Sequence, residues 1–229
     1  MKISRSLPPL KILYKDEIIL RPIAGTDYSL LLDAVRESKA ALHRFMHWSH
    51  EEMSEEAEAK LLLQFQSKYL AGEEFHFLGQ KKDGEFLFCA GIVPHGRLNP
   101  TALEIGYWVS SKWQGKGYGT LALQILTIVS FELFESDLVS VFSSEDNIGS
   151  LKVLEKCGYK KNGLIRNFIG QPTKEMLEKG YGKNRNGLMF SLIPTDLPAL
   201  EWYPKILSSL KWVDISGESQ TPGKSLFLS

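Results

Sequence analysis

Two periodicities alternate along the chain. Leu121, Ile125 and Ile128 recur at roughly helical spacing and predict a helix over Leu121–Phe134. Short runs rich in β-branched and aromatic residues predict strands at Ile18–Pro22, Phe75–Gln80, Phe86–Val93 and Leu103–Ser110. Asp83-Gly84 is a two-residue turn signal, so the strands on either side of it are expected to form an antiparallel hairpin. Thr26-Asp27 caps a predicted helix over Tyr28–Glu37, and Ser54 caps another through Leu70, with Glu55 and Glu56 favourable in its first turn. A buried strand at Leu138–Ser143, a short helix at Ile148–Cys157 and closing strands at Leu164–Ile169 and Leu188–Ile193 complete an α/β order without internal repeats. From residue 195 the pattern changes. Pro198, Pro204 and a Ser-Gly-Glu-Ser-Gln-Thr-Pro-Gly stretch mark a tail, 195–229, expected to be partly ordered. Its Trp202, Ile206, Leu210 and Trp212 are expected to pack on the domain or on a second subunit.

Composition narrows the function by exclusion. The 229 residues suit one domain with a real core. Lys and Arg (27) balance Asp and Glu (27), which gives no ground for a nucleic-acid partner or an electrostatic membrane anchor. No apolar run approaches a membrane span, and the first residues lack a signal-peptide core. Cys89 and Cys157 have neither C-x-x-C spacing nor a histidine cluster, and read as buried free thiols of a reduced, cytoplasmic protein.

The stretch that carries chemistry is Gln114-Gly115-Lys116-Gly117-Tyr118-Gly119-Thr120, set between a predicted strand and a predicted helix. A glycine-rich turn there leaves backbone N–H groups pointing outward, with the positive end of the helix dipole behind them, which makes an anion site suited to phosphate. It is not a Walker A loop, because Lys116 is followed by Gly117. Nor is it a dinucleotide fingerprint, which needs a small residue where Thr120 stands.

A second segment, Asp146 to Tyr159, makes the match specific. Gln114, Gly117 and Gly119 resemble the Gln-x-x-Gly-x-Gly pyrophosphate loop of the GNAT superfamily of N-acetyltransferases. Asn147, Ser150, Lys156, Gly158 and Tyr159 resemble that family's second cofactor segment. Glu-Ile-Gly-Tyr-Trp at 104–108, Leu20-Arg21-Pro22 and Phe190-Ser191-Leu192 are similar to the branch that acetylates ribosomal-protein N-termini. The resemblance covers residues 12–194, behind an N-terminal segment 1–11. It implies a mixed, mostly antiparallel twisted sheet of about six to seven strands, flanked by helices on both faces (an α+β sandwich) and splayed in a V beside the cofactor helix.

The resemblance also implies roles. Acetyl-CoA is the cosubstrate, no metal is needed, and the acceptor is a protein N-terminal α-amine or a small-molecule amine. A catalytically silent acyl-CoA-binding module is the reading from another class, and the chain is expected to be a monomer or homodimer. The backbone at Trp108, Val109 and Ser110 would hold the thioester and polarise its carbonyl, while the amides of residues 114–120 hold the pyrophosphate. Asn147 would cap its helix and touch the pantetheine arm, and Lys112 and Lys116 are candidates to meet phosphates. Glu104 is the candidate general base, acting through a water, its bland alternative being an exposed strand carboxylate. Many relatives place an acidic tyrosine where Leu154 stands. Ser150 is therefore the candidate to assist the leaving thiolate, its bland alternative being a helix cap. The stretch that holds His43, His47, Trp48 and His50 would help wall the acceptor pocket, its apolar members facing the acceptor and its histidines partly exposed. His47, Trp48 and Glu104 are the expected acceptor contacts.

Overall fold

The computed structural model describes residues 8–50, 53–96, 99–214 and 217–220, with the side chains of His47 and His50 outside the described set. Among the described residues the sheet has ten strands, more than the six or seven expected. Its strands are β1 (Lys11–Tyr14), β2 (Ile18–Pro22), β3 (Phe75–Lys81), β4 (Phe86–Pro94), β5 (Ala102–Val109), β6 (Leu138–Ser144), β7 (Lys160–Ile165), β8 (Gly187–Leu192), β9 (Leu210–Val213) and β10 (Ser219–Gln220). They run in the order β10-β9-β1-β2-β3-β4-β5-β6-β8-β7, and every neighbouring pair is antiparallel except β5 and β6.

The additional strands gather at one edge. Lys15 and Asp16, both at positive φ, close a three-residue turn between β1 and β2. The last two strands come from the segment read as a tail, where β9 pairs with β1. Of the two packings that the sequence leaves open for it, the structure shows the domain. Leu210 and Trp212 are buried in the main core, with Trp202 and Ile206 packed against it. Tyr203 donates to Glu132 at 2.9 Å, and Trp202 donates to the Cys157 carbonyl at 3.2 Å. At the opposite edge the expected strand at 164–169 lies earlier, at 160–165. Its Lys160 and Lys161 and a bulge at Lys161/Gly163 hide the alternation that an inner strand shows.

Helices cover both faces. α1 (Tyr28–Glu37), α2 (Lys39–Leu42) and α3 (Glu55–Ala71) precede β3, and α1 and α3 bury Leu31, Ala34 and Leu62 against Leu78 and Cys89. On the other face α4 (Tyr118–Ile128) contributes Ala122, Leu123, Ile125 and Leu126 to the larger core, and α7 (Trp202–Leu207) joins it there. The helix predicted to Phe134 loosens after Ile128 into a π turn, Val129–Leu133. α5 (Ile148–Lys156) and α6 (Lys174–Glu178) complete the set. The β3–β4 hairpin forms as expected, although its turn spans Lys82–Gly84.

Two predicted caps differ in how they work. Ser54 accepts from the Ala57 N–H at 3.2 Å, as a helix cap does. The Asp27 carboxylate makes no cap bond to α1. It accepts instead from the Ala24 N–H at 2.8 Å and from both terminal nitrogens of Arg21 at 2.8 and 2.7 Å. Both cysteines are free and buried, as expected. No helix among the described residues is long and apolar enough to cross a membrane.

Candidate active site at the splayed strands

β5 and β6 pair over three residues only: Ala102 with Leu138, Leu103 with Val139, and Glu104 with Ser140. Both strands continue, to Val109 and Ser144, without further pairing to each other, so a V-shaped gap opens with Glu104 at its apex. The Ser110 N–H donates to the Leu87 carbonyl at 3.0 Å. Alternation along an antiparallel strand then turns the Trp108 N–H toward β4 as well, and leaves those of Tyr107 and Val109 facing the gap. Within the stretch expected to meet the thioester, the gap-facing donor is therefore Val109, joined by Tyr107 just before it.

The N-terminus of α4 fills the wide end of the V. Gly117, at φ 90°, is its N-cap, and Gly115 has φ 74°. A Cβ at either would meet nothing within 4 Å, so glycine is required there by backbone conformation and leaves open space above the loop. Gly119 differs, since a Cβ there would lie in ordinary contact, 3.4 Å from the Tyr107 ring and 3.5 Å from Val109, which marks how closely α4 packs on β5. The first-turn N–H groups of Tyr118, Gly119 and Thr120 have no intrahelical acceptor. The loop is held from below, where the Ser111 N–H donates to the buried Ser38 hydroxyl at 2.9 Å and Gln114 Nε2 donates to the Val109 carbonyl at 3.2 Å. Gln114 thus ties the loop to β5. Lys112 is ion-paired with Glu85, and Lys116 lies over the Trp113 ring, 4.3 Å from its centre.

Asn147 caps α5, its Oδ1 accepting from the Ser150 N–H at 3.1 Å. That leaves the Ser150 hydroxyl out of the cap. It lies 3.4 Å from the hydroxyl of Tyr107, a residue that sequence reasoning placed only within a strand. Burial pushes the Tyr107 phenol up to about 12, against a smaller opposite pull from Ser150, so it stays protonated at neutral pH. Leu154, the position at which the resemblance implied a tyrosine in many relatives, is fully buried in the core. The site's phenol comes from β5.

Two cavities flank β5. The larger, about 870 Å³, runs from the glycine loop along the V past Asn147 and Ser150. The second, about 650 Å³, lies between β4–β5 and α1–α3. They share Met46, Gly106, Tyr107 and Trp108. Gly106 pairs across the sheet with Gly91, and a Cβ on Gly106 would meet nothing within 4 Å. The strand between the cavities is therefore bare of side chain at that point. Glu104 faces the second cavity, with the His95 Nδ1 3.3 Å from its Oε2. Trp48 lines the same cavity, 46% exposed and 6.2 Å from the Trp108 ring. His47, expected beside it, has its side chain outside the described residues. His43 departs from the expected partial exposure. It is buried, its Nδ1 3.6 Å from the Glu175 carboxylate of α6.

The fold has counterparts among known proteins. Residues 17–160 match the acetyltransferase (GNAT) domain family. A probable N-acetyltransferase of Bacillus subtilis (strain 168), YjcK, is 27% identical over 154 residues, which are 66% of this chain and 85% of that protein. Among solved structures, RimL, a ribosomal L7/L12 alpha-N-protein acetyltransferase in complex with coenzyme A, superposes with a TM-score of 0.70 at 18% identity, covering 80% of this chain and 97% of its own. The microcin C7 self-immunity acetyltransferase MccE, in complex with acetyl-CoA and AMP, gives a TM-score of 0.68 at 18% identity, covering 82% and 98%. At that identity the likeness speaks for the fold.

Proposed function

The chain belongs to the GNAT acetyltransferase family and is an acyltransferase, and on that premise we propose that it acetylates the N-terminal α-amine of a protein. The observation that carries this reading is the junction at Gly106, where the cavity beside the glycine loop meets the cavity that holds Glu104. Acetyl-CoA supplies an activated thioester, and its fit rests on the open space above Gly115 and Gly117 and on the donors left free at the start of α4.

This chain's own residues divide the remaining work. The α4 amides hold the pyrophosphate, and the gap-facing N–H groups of Tyr107 and Val109 stabilise negative charge developing on the carbonyl oxygen. Glu104, at the apex on the acceptor side, takes a proton from the acceptor ammonium through a water, which leaves the free amine to attack the thioester carbonyl. Ser150, backed by Tyr107, donates to the departing sulfur. A thiolate that titrates near 8.5 needs little more than one such donor. An α-amine titrates near 8 and a lysine near 10.4, so a single carboxylate working through water is better matched to the first.

A small-molecule amine is the second reading, favoured by the 650 Å³ size of the acceptor cavity, which is that of a small-molecule pocket. A thiol-release assay with acetyl-CoA over N-terminal peptides and small amines decides between them. Turnover on peptides that vanishes when the α-amine is blocked supports the protein acceptor. Turnover confined to small amines refutes it.

A further inference from the structure

The acceptor cavity contains an ionisable group that the reaction above does not use. α3 turns Glu58, Leu61, Leu62 and Phe65 toward it at helical spacing. Glu55 and Glu56 of the same turn are exposed, whereas Glu58 is 9% exposed. Burial raises the pKa of its carboxyl group. Among the described residues no cation or hydrogen-bond donor pairs with that carboxylate. A buried acid without a partner costs stability and is satisfied when a ligand brings one.

The surroundings favour a cation. Trp48, Phe65 and Trp108 line the same cavity, and aromatic faces attract cationic nitrogens. His76, stacked on Phe65 at 4.0 Å, is held below its usual pKa chiefly by burial and so adds no positive charge to the wall at neutral pH. Arg36 and Lys39 stand at the exposed rim, Arg36 engaged by Asp33 at 3.3 Å. Glu58 lines the cavity from α3 and Glu104 lines it from β5. Glu104 pairs with Val93, and Trp108 pairs with Cys89. Four residue steps along the strand separate Val93 from Cys89, about 13 Å, with the bare Gly91–Gly106 pair between them.

We propose that the acceptor carries a second cationic nitrogen, seated against Glu58 and the rings of Trp48, Phe65 and Trp108, while the nitrogen to be acetylated lies over Gly106. This rests on the acetyl-transfer reading of the same cavity and adds the chemistry of the acceptor to it. A diamine and a peptide with an N-terminal lysine both meet the description.

The test compares isosteres that differ in one charge. In the small-molecule arm, binding of 1,6-diaminohexane and of heptylamine is followed by calorimetry without acetyl-CoA, and kcat/KM with it. The peptide arm compares Lys-Ala-Ala amide with 2-aminoheptanoyl-Ala-Ala amide. The dicationic member of at least one arm should be favoured about 10–100-fold, the worth of a hydrogen bond between charged groups. Glu58→Gln should bring that ratio close to one, as should Glu58→Leu if the amide perturbs folding. The arm that shows the preference identifies the source of the ligand. A wild-type ratio near one in both arms, or a ratio that survives both substitutions, overturns the proposal. Acetyl transfer without a Glu58-dependent preference would sink this inference alone. A Glu58-dependent preference in binding, without transfer to any acceptor, would instead sink the reading it rests on.

Discussion

Removing the two hydroxyls that meet between β5 and α5 is the sharpest test of the leaving-group assignment. Ser150 Oγ and Tyr107 Oη are 3.4 Å apart, and the α5 cap runs through Asn147 to the Ser150 backbone, so Ser150→Ala leaves the cap intact. Tyr107→Phe keeps the ring against which Gly119 packs. A hydrogen bond to a charged sulfur contributes about 1.5–3 kcal/mol, so Ser150→Ala should lower kcat about 10–100-fold at nearly unchanged acetyl-CoA affinity. If Tyr107 acts by donating to Ser150, Tyr107→Phe costs less, about tenfold. The double variant is then little worse than Ser150→Ala alone, a coupling on the order of 1 kcal/mol. Burial holds the Tyr107 phenol near 12, so it remains a donor through pH 10 and the Tyr107→Phe defect should be flat from pH 7 to 10. Steady-state kinetics of the four proteins, with calorimetric affinity for acetyl-CoA, measure all of this. Wild-type kcat in Tyr107→Phe would refute the part given to the phenol, and wild-type kcat in Ser150→Ala would refute the assignment as a whole.

Glu104→Gln should lower kcat/KM most at neutral pH, with recovery by about pH 8–9 for an α-amine acceptor and only above about pH 10 for a lysine-like amine. Equal impairment at every pH would point to positioning, and undiminished activity would rule Glu104 out. Asp27→Asn should cost about 3 kcal/mol at pH 7, by leaving the Arg21 guanidinium half-buried without its carboxylate. Burial pushes the Asp27 carboxyl up, but bonds from Arg21 and the Ala24 N–H outweigh it, so its pKa lies below the usual range. The stability it contributes is therefore present above that range and lost as pH falls through the lowered value. The gap between wild type and variant in urea midpoint should narrow from pH 7 toward pH 3, and a gap that widens on acidification would refute the pairing.

The elements that read well from sequence carry their own punctuation. Ser54 before an acidic first turn marks α3, and glycine at residues 115, 117 and 119 marks the start of α4. β1 and β9 carry no such mark. The turn that follows β1, at Lys15–Asp16, adopts positive φ without glycine or asparagine, and β9 becomes a strand only because β1 offers it an edge. Local preference does not report on a partner about 195 residues away in the chain. The same limit explains Asp27, which reads as a helix cap by type and position. Arg21, brought up by β2, outcompetes the α1 amides for its carboxylate.

At the site, residues whose role depends on backbone were legible and those whose role depends on direction were not. The glycine loop needs positive φ and open space, both of which residue type declares. Tyr107 and Trp108 are adjacent on one strand and read alike, yet period-two alternation sends the first toward the V and Ser150 and the second toward the acceptor cavity. Which face is which follows from where β5 leaves β6, a tertiary fact fixed by the Glu104–Ser140 pair. Glu58 was hidden for a related reason. A glutamate in the first turn of a helix is what the helix dipole favours anywhere, so Glu55, Glu56 and Glu58 look equivalent until α3 docks. Docking then buries the one carboxylate that shares a face with Leu62 and Phe65. The cost of that burial is what separates it from its neighbours, and in the proposal above a cation in the cavity would offset it.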